Sequence, residues 1–161
     1  MLLPKQMDYV TAAGFAMSYG TSYYALVQRG QLQSGEVLLV HGASGGVGTA
    51  ALDIGRQLGA RLIATGGNDE KLQRVAQQFG VEHVINYRTQ PRWMDKVKEL
   101  TLAQGADVIF DAVGGELLED GARVADDRHV DVAVLAHPGR VDVNADDLHV
   151  LSKARRPREL D

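Results

Sequence analysis

The stretch VLLVHGASGGVGTAALDIGRQLGA, residues 37–60, confines the chain to few folds. It opens on a short apolar run of strand length, passes through a glycine-rich turn, and continues with Val47, Ala51, Ile54 and Leu58 at helical intervals. Gly59 stands where such a helix would stop. A strand that runs through glycines directly into an amphipathic helix is the opening of a βαβ unit.

Within that turn Ala43, Gly45 and Gly48 occupy the three positions of the dinucleotide fingerprint, with alanine at the first. Each position has a physical demand: a tight bend, backbone approach to a pyrophosphate, and close contact of helix with strand. An anion sits where unclaimed helix N–H groups and the positive end of the helix dipole converge. Side chains on Gly45 or Gly46 would obstruct that approach. Two rival glycine loops fit worse. A phosphoryl-transfer loop needs Lys and then Ser or Thr after its last glycine, whereas Gly48 is followed by Thr49 and Ala50. The GxxxGxG spacing of short-chain dehydrogenases is met by Gly42, Gly46 and Gly48, but that family's Tyr and Lys four residues apart are missing.

The alternation continues. RLIATGG reads as a strand, DEKLQRVAQQFG as a helix closed by Gly80, EHVINY as a strand, RWMDKVKELTLAQG as a helix presenting Trp93, Val97 and Leu100, and ADVIFDAVGG as a strand. Apolar strands separated by helices specify an α/β fold, a doubly wound parallel sheet of the Rossmann kind with about five strands. Before it, residues 8–33 read as two short helices interrupted by Gly14, Gly20 and Gly30, leading to a turn at QSGE. After residue 120 only HVDVAVLA, residues 129–136, offers a further strand, and Asp131 within it calls for a sheet edge or a partner. One domain over residues 1–150 is expected, with residues 151–161 a disordered tail whose basic residues are solvated.

Composition narrows the partners. A formal net charge of -4 gives no overall attraction to nucleic acid or anionic membranes. No segment approaches the roughly 20 apolar residues of a membrane span, and the start lacks a signal peptide's continuous apolar core. The absence of cysteine fits a reducing compartment, and a cytoplasmic location is expected. Five scattered histidines with no cysteine give no zinc constellation, so no metal is expected. His41 reads as a strand-end residue rather than a base.

An NAD site commonly places Asp or Glu at the end of the second strand to bond the ribose hydroxyls. That strand here ends in Thr65, Gly66 and Gly67, and Lys71 follows on the next helix. A 2′-phosphate would meet no repulsion there, so NADPH is favoured over NADH. Lys71 also reads as an ordinary solvated helix lysine.

Several segments in one order, YGTSYYALV, GEVLLVHGASGGVGTAALDIGRQLGA, DEKL, HVINYR, VKELT and DVIFDAVGG, make residues 7–116 resemble the cofactor domain of zinc-independent medium-chain reductases. The resemblance is to their NADPH:quinone oxidoreductase, or zeta-crystallin-like, branch. It implies a phosphate loop at Ser44, Gly45, Gly46 and Val47, adenosine-phosphate contacts at Lys71 and Tyr87, a nicotinamide-side threonine at Thr21, and cofactor proximity for Val113 and Gly114. It implies hydride transfer from NADPH to a small-molecule quinone or enone-type acceptor, with strand-edge pairing into a homodimer. Members of the branch have about twice this length. Their N-terminal barrel-like domain, the other wall of the substrate cleft, has no counterpart here, and the part after Glu116 is divergent. The expectation is therefore a cofactor-binding piece whose turnover needs the missing regions. A non-enzymatic nucleotide-binding module and an inactive truncated fragment are the alternatives, and no catalytic residue can be named.

Overall fold

A computed structural model describes residues 4–124 and 131–134 of the 161-residue chain. The expected tail, and much of the sequence after Glu116, lies outside the described residues. Five parallel strands, β1 (Val37–His41), β2 (Arg61–Gly66), β3 (His83–Asn86), β4 (Val108–Asp111) and β5 (Asp131–Val134), form one sheet in the order β3-β2-β1-β4-β5. The chain moves outward from β1 through β2 to β3, then returns to pair β4 on the other side of β1. In open parallel sheets such a reversal is where a ligand crevice forms beyond the carboxyl ends of the strands. The strand expected within residues 129–136 is β5, on the sheet edge, with Asp131 opposite Val108.

The helices form because sequence supplies both a face and its ends. α1 (Tyr9–Tyr23) begins at Asp8, whose carboxylate accepts the Thr11 amide at 2.9 Å. α2 (Gly46–Gln57) buries Ala50, Ala51, Leu52 and Ile54 between the sheet and α1. α3 (Asp69–Phe79) is capped by Asn68, which accepts the Lys71 amide at 2.9 Å, and it stops at Gly80, whose φ of 65° is the left-handed conformation a helix end favours. α4 (Trp93–Leu100) and α5 (Glu116–Ala122) complete the set.

One sheet face packs Leu38, Val40, Ala64, Val108 and Phe110 against α2, α3 and residues 24–29. The other packs Leu39, Ile63, Ile85 and Ile109 against Trp93 and Val97 of α4 and Leu117 and Leu118 of α5. The parallel sheet is thus covered on both sides, as its near-continuous apolar strands require.

The expected pair of short helices before β1 is instead one. α1 runs through Gly14 and Gly20 and passes directly into a π-helical segment, Tyr24–Arg29, that ends at Gly30. An interior glycine costs a helix only about 1 kcal/mol. Packing along α2, where Ala12, Ser22, Ala25 and Leu26 are buried, outweighs that.

Candidate functional site

β1 ends at His41, and the chain turns at Gly42 with φ of 66°. A Cβ at Gly42 would sit 2.9 Å from Val113 Cγ2, so the bend after β1 presses against the bend after β4. The Ala43 amide donates to the Thr65 carbonyl at 3.0 Å, which ties the loop to the end of β2. A Cβ at Gly48 would collide with the Gly42 carbonyl oxygen and lie 2.9 Å from Ala43 Cα. Gly48 therefore lets helix and loop touch, as the third fingerprint position demands.

Gly45 and Gly46 are bare for a different reason. A Cβ at Gly45 would have only the Gly42 oxygen nearby, at 3.4 Å, and one at Gly46 only Ser18 Oγ, at 3.2 Å. Both glycines are exposed, so the fold itself asks for their bareness less than it does at Gly48. Gly45 is the N-cap of α2 and offers no side chain to its first turn. The amides of Gly46, Val47 and Gly48 are left unclaimed by any side chain or loop carbonyl among the described residues. Three such donors beside exposed Ser44, at the positive end of a twelve-residue helix, suit an anion. Ser22 of α1 is fully buried and donates from Oγ to the Val47 carbonyl at 2.8 Å, which anchors that turn from behind.

At the end of β2, the Tyr87 amide donates to the Gly66 carbonyl at 3.2 Å, and Tyr87 is half-buried. The Arg88 side chain lies across Gly67, its Nε 2.8 Å from where a Cβ would stand. Lys71 is exposed on the first turn of α3. Neither Lys71 nor Arg88 is ion-paired among the described residues.

At the end of β4, Asp111 Oδ1 accepts the amides of Val113 at 2.6 Å and Gly114 at 2.9 Å, and Gly114 takes a φ of 73°. Val113 is exposed and Gly114 half-buried. Asp111 pairs in register with His41, whose Nδ1 is 2.7 Å from Thr65 Oγ1. All three side chains are buried. Burial pushes the His41 imidazole down to about 4, and Asp111 pulls the other way.

The fold therefore brings Ser44, Gly45, Gly46, Val47, Gly48, Val113 and Gly114 together beyond β1 and β4, and sets Lys71 and Tyr87 around the end of β2. Thr21 stands beside Ser22 on α1, but its hydroxyl turns to Met17 Sδ, 3.9 Å away on the same helix, and is not joined to the loop. Arg88, Ser22 and Asp111 were not singled out from sequence. Arg88 follows Tyr87 directly, yet only the folded chain shows it crossing Gly67.

Residues 46–154 match the family described as zinc-binding dehydrogenase. The chain belongs to that family. It corresponds to the cofactor-binding part of the medium-chain dehydrogenases and reductases, and the family relation runs well past Glu116. The chain is 31% identical over 161 residues to a highly reducing polyketide synthase of Gibberella zeae, covering 99% of this chain and 6% of that protein. It is 35% identical over 139 residues to the quinone oxidoreductase of Homo sapiens, covering 86% and 39%. The CurK enoyl reductase structure superposes with a TM-score of 0.80 at 29% identity, covering 88% of this chain and 42% of that one. The chain thus spans well under half the length of these relatives. Although the family takes its name from zinc, among the described residues no three His, Asp or Glu side chains converge as a metal site. No helix among them is long and apolar enough to cross a membrane.

Proposed function

We propose that this chain binds NADPH along the carboxyl ends of β2, β1 and β4, as the cofactor half of a reductase that delivers hydride to a conjugated acceptor. The observation that carries the reading is the α2 turn: three unclaimed amides beneath two exposed glycines whose Cβ positions the chain leaves largely open. That cradle fits a pyrophosphate. Arg88 lies across Gly67, where a carboxylate would otherwise hold the ribose of NAD, and exposed Lys71 follows on the first turn of α3; two cations at that end of β2 suit a 2′-phosphate. Tyr87 lines the same end. Val113 and Gly114 sit toward the nicotinamide end.

When bound, NADPH supplies the hydride, and the protein contributes binding and orientation. Quinone and enoyl groups share a conjugated C=C–C=O unit, to which hydride adds while negative charge collects on the oxygen. The likeness to a quinone oxidoreductase and to an enoyl reductase supports that acceptor class. Holding an acceptor at hydride-transfer distance takes a second wall, which the resemblance places in a domain N-terminal to this one.

Titration of the purified chain with NADPH and NADH, read by nicotinamide fluorescence, tests the proposal. Lys71→Ala and Arg88→Ala should each weaken NADPH about tenfold or more while leaving NADH nearly unchanged, the scale of one lost charge-assisted phosphate contact. Equal loss for both cofactors would defeat the 2′-phosphate assignment. Gly46→Val should abolish binding of both, because its branches fill the approach to the amides.

A further inference from the structure

Among the described residues, His41 Nε2 and Asp111 Oδ2 are the buried side-chain atoms that lack a hydrogen-bond partner. They belong to one cross-strand row. The β1–β2 register carries His41 to Thr65, and the β1–β4 register pairs His41 with Asp111. Adjacent strands are about 4.8 Å apart, so side chains from paired positions meet directly or through one water. The elements packed around His41 present Thr65 from β2, Asp111 from β4, Trp93 from α4 with ring centroids 5.2 Å apart, and Gly121 from α5. Of these four, Asp111 alone is titratable. A Cβ at Gly121 would lie 2.9 Å from His41 Nε2, so α5 closes over the imidazole.

The chemistry of the partners fixes the imidazole proton. Asp111 Oδ1 accepts two backbone amides, which leaves Oδ2 as the oxygen of that carboxylate still without a partner. A carboxylate Oδ2 only accepts, so a direct bond to it from the imidazole requires that Nε2 carry the proton. A neutral imidazole then has Nδ1 as an acceptor, and the Thr65 hydroxyl 2.7 Å away is able to donate to it. With that bond made, the row would run from Thr65 to His41 to Asp111 to the amides of Val113 and Gly114.

The geometry points to His41 as a positioning residue: as the neutral Nε2–H tautomer it holds Asp111 Oδ2, and through that carboxylate it fixes the turn at Val113 and Gly114. The effect on nucleotide rests on the dinucleotide reading above. The tautomer and the turn do not. His41 touches neither cofactor nor acceptor. It joins the end of β2, on the adenosine side, to the turn after β4, on the nicotinamide side, beneath the floor of the crevice.

Long-range proton–nitrogen NMR of the intact chain decides the first link. An Nε2–H ring at neutral pH, with its proton exchanging slowly, is expected, and an Nδ1–H ring overturns the proposal. Amide hydrogen exchange decides the second. His41→Phe should lower protection at Val113 and Gly114 about tenfold or more, with partial recovery in His41→Gln, which keeps a donor. Unchanged protection at both amides in a folded His41→Phe chain overturns the positioning role. Titration with NADPH and with the adenosine fragment 2′,5′-ADP gives the third readout. The variant should lose affinity for NADPH and keep it for the fragment, and equal loss for the two would make the role merely structural. Failure of the unsubstituted chain to bind either nucleotide would sink the functional reading, and the tautomer and exchange results would still decide this one.

Discussion

The two faces of the sheet are built from the same strands and stabilised differently. Toward α2 and α3 the strands present Leu38, Val40, Ala64, Val108 and Phe110, all apolar to the last residue before the loops. Toward α4 and α5 the same strands begin apolar, with Leu39, Ile63 and Ile109, and finish at the carboxyl end in His41, Thr65 and Asp111. A dry face answers only to volume. A face with a polar row also answers to protons, because each buried polar group must be hydrogen-bonded or carry a desolvation cost. The row lies under the crevice, where a loop must be aimed, and the apolar residues fill both faces elsewhere. Packing sets the sheet, and directional bonds set the turn after β4.

The largest effect that would separate the faces comes from the dry side. Phe110 is fully buried, and Phe110→Ala should cost about 3–5 kcal/mol, since the surrounding helices close only part of the cavity. Urea unfolding at two pH values checks it. The loss should be the same at pH 7 and pH 5, and a loss that grew with acidity would show that the two faces are not independent.

The polar row should show the opposite behaviour. Unfolded, His41 titrates near 6.5, and in the fold burial holds it down to about 4. Between those values the unfolded chain carries a proton that the folded chain refuses. Stability contributed by this group is complete above the unfolded value and is lost as pH falls toward the folded one. From pH 7 to pH 5 the loss should be about 2 kcal/mol, one and a half units at 1.36 kcal/mol each. Carboxylates titrate in the same range, so the informative quantity is a difference. His41→Phe should be less stable at pH 7 yet lose less on acidification, and parallel pH curves for the two chains would remove His41 as the source.

What sequence revealed follows the same division. Strand and helix identities were legible because apolar periodicity is local: the runs around Leu38, Ile63 and Ile109, and the spacing of Val47, Ala51 and Ile54, need no knowledge of neighbours. Gly48 was legible as a fingerprint position, and the fold supplies the reason, a backbone collision there; the contact of Gly42 with Val113 came only from the fold. His41 read as a strand-end residue, and its burial and its partners were hidden, since Thr65 and Asp111 stand 24 and 70 residues away and meet it only through register. Arg88 was hidden for the same reason, because its meaning depends on crossing Gly67 from another strand's end. The break expected at Gly14 and Gly20 in α1 came from weighing propensity alone, where the contact with α2 decides.

The smallest of these effects concerns that contact, and it asks whether the dry side also relies on a directional bond near the crevice. Ser22 is fully buried between α1 and α2 and donates to the Val47 carbonyl at 2.8 Å. That carbonyl sits in the first turn of α2 and also receives a helical amide, so removing the hydroxyl does not orphan it. Ser22→Ala changes little volume and should cost about 1 kcal/mol, the low end for a buried hydrogen bond whose acceptor keeps another donor. The cost should not vary with pH, because neither partner titrates. If the α2 turn is aimed by this bond, NADPH affinity should fall a few-fold along with stability. A stability loss with unchanged affinity would mean that apolar packing alone holds the turn into α2, leaving the bonds of Asp111 to Val113 and Gly114 as the directional contacts beyond the strand ends.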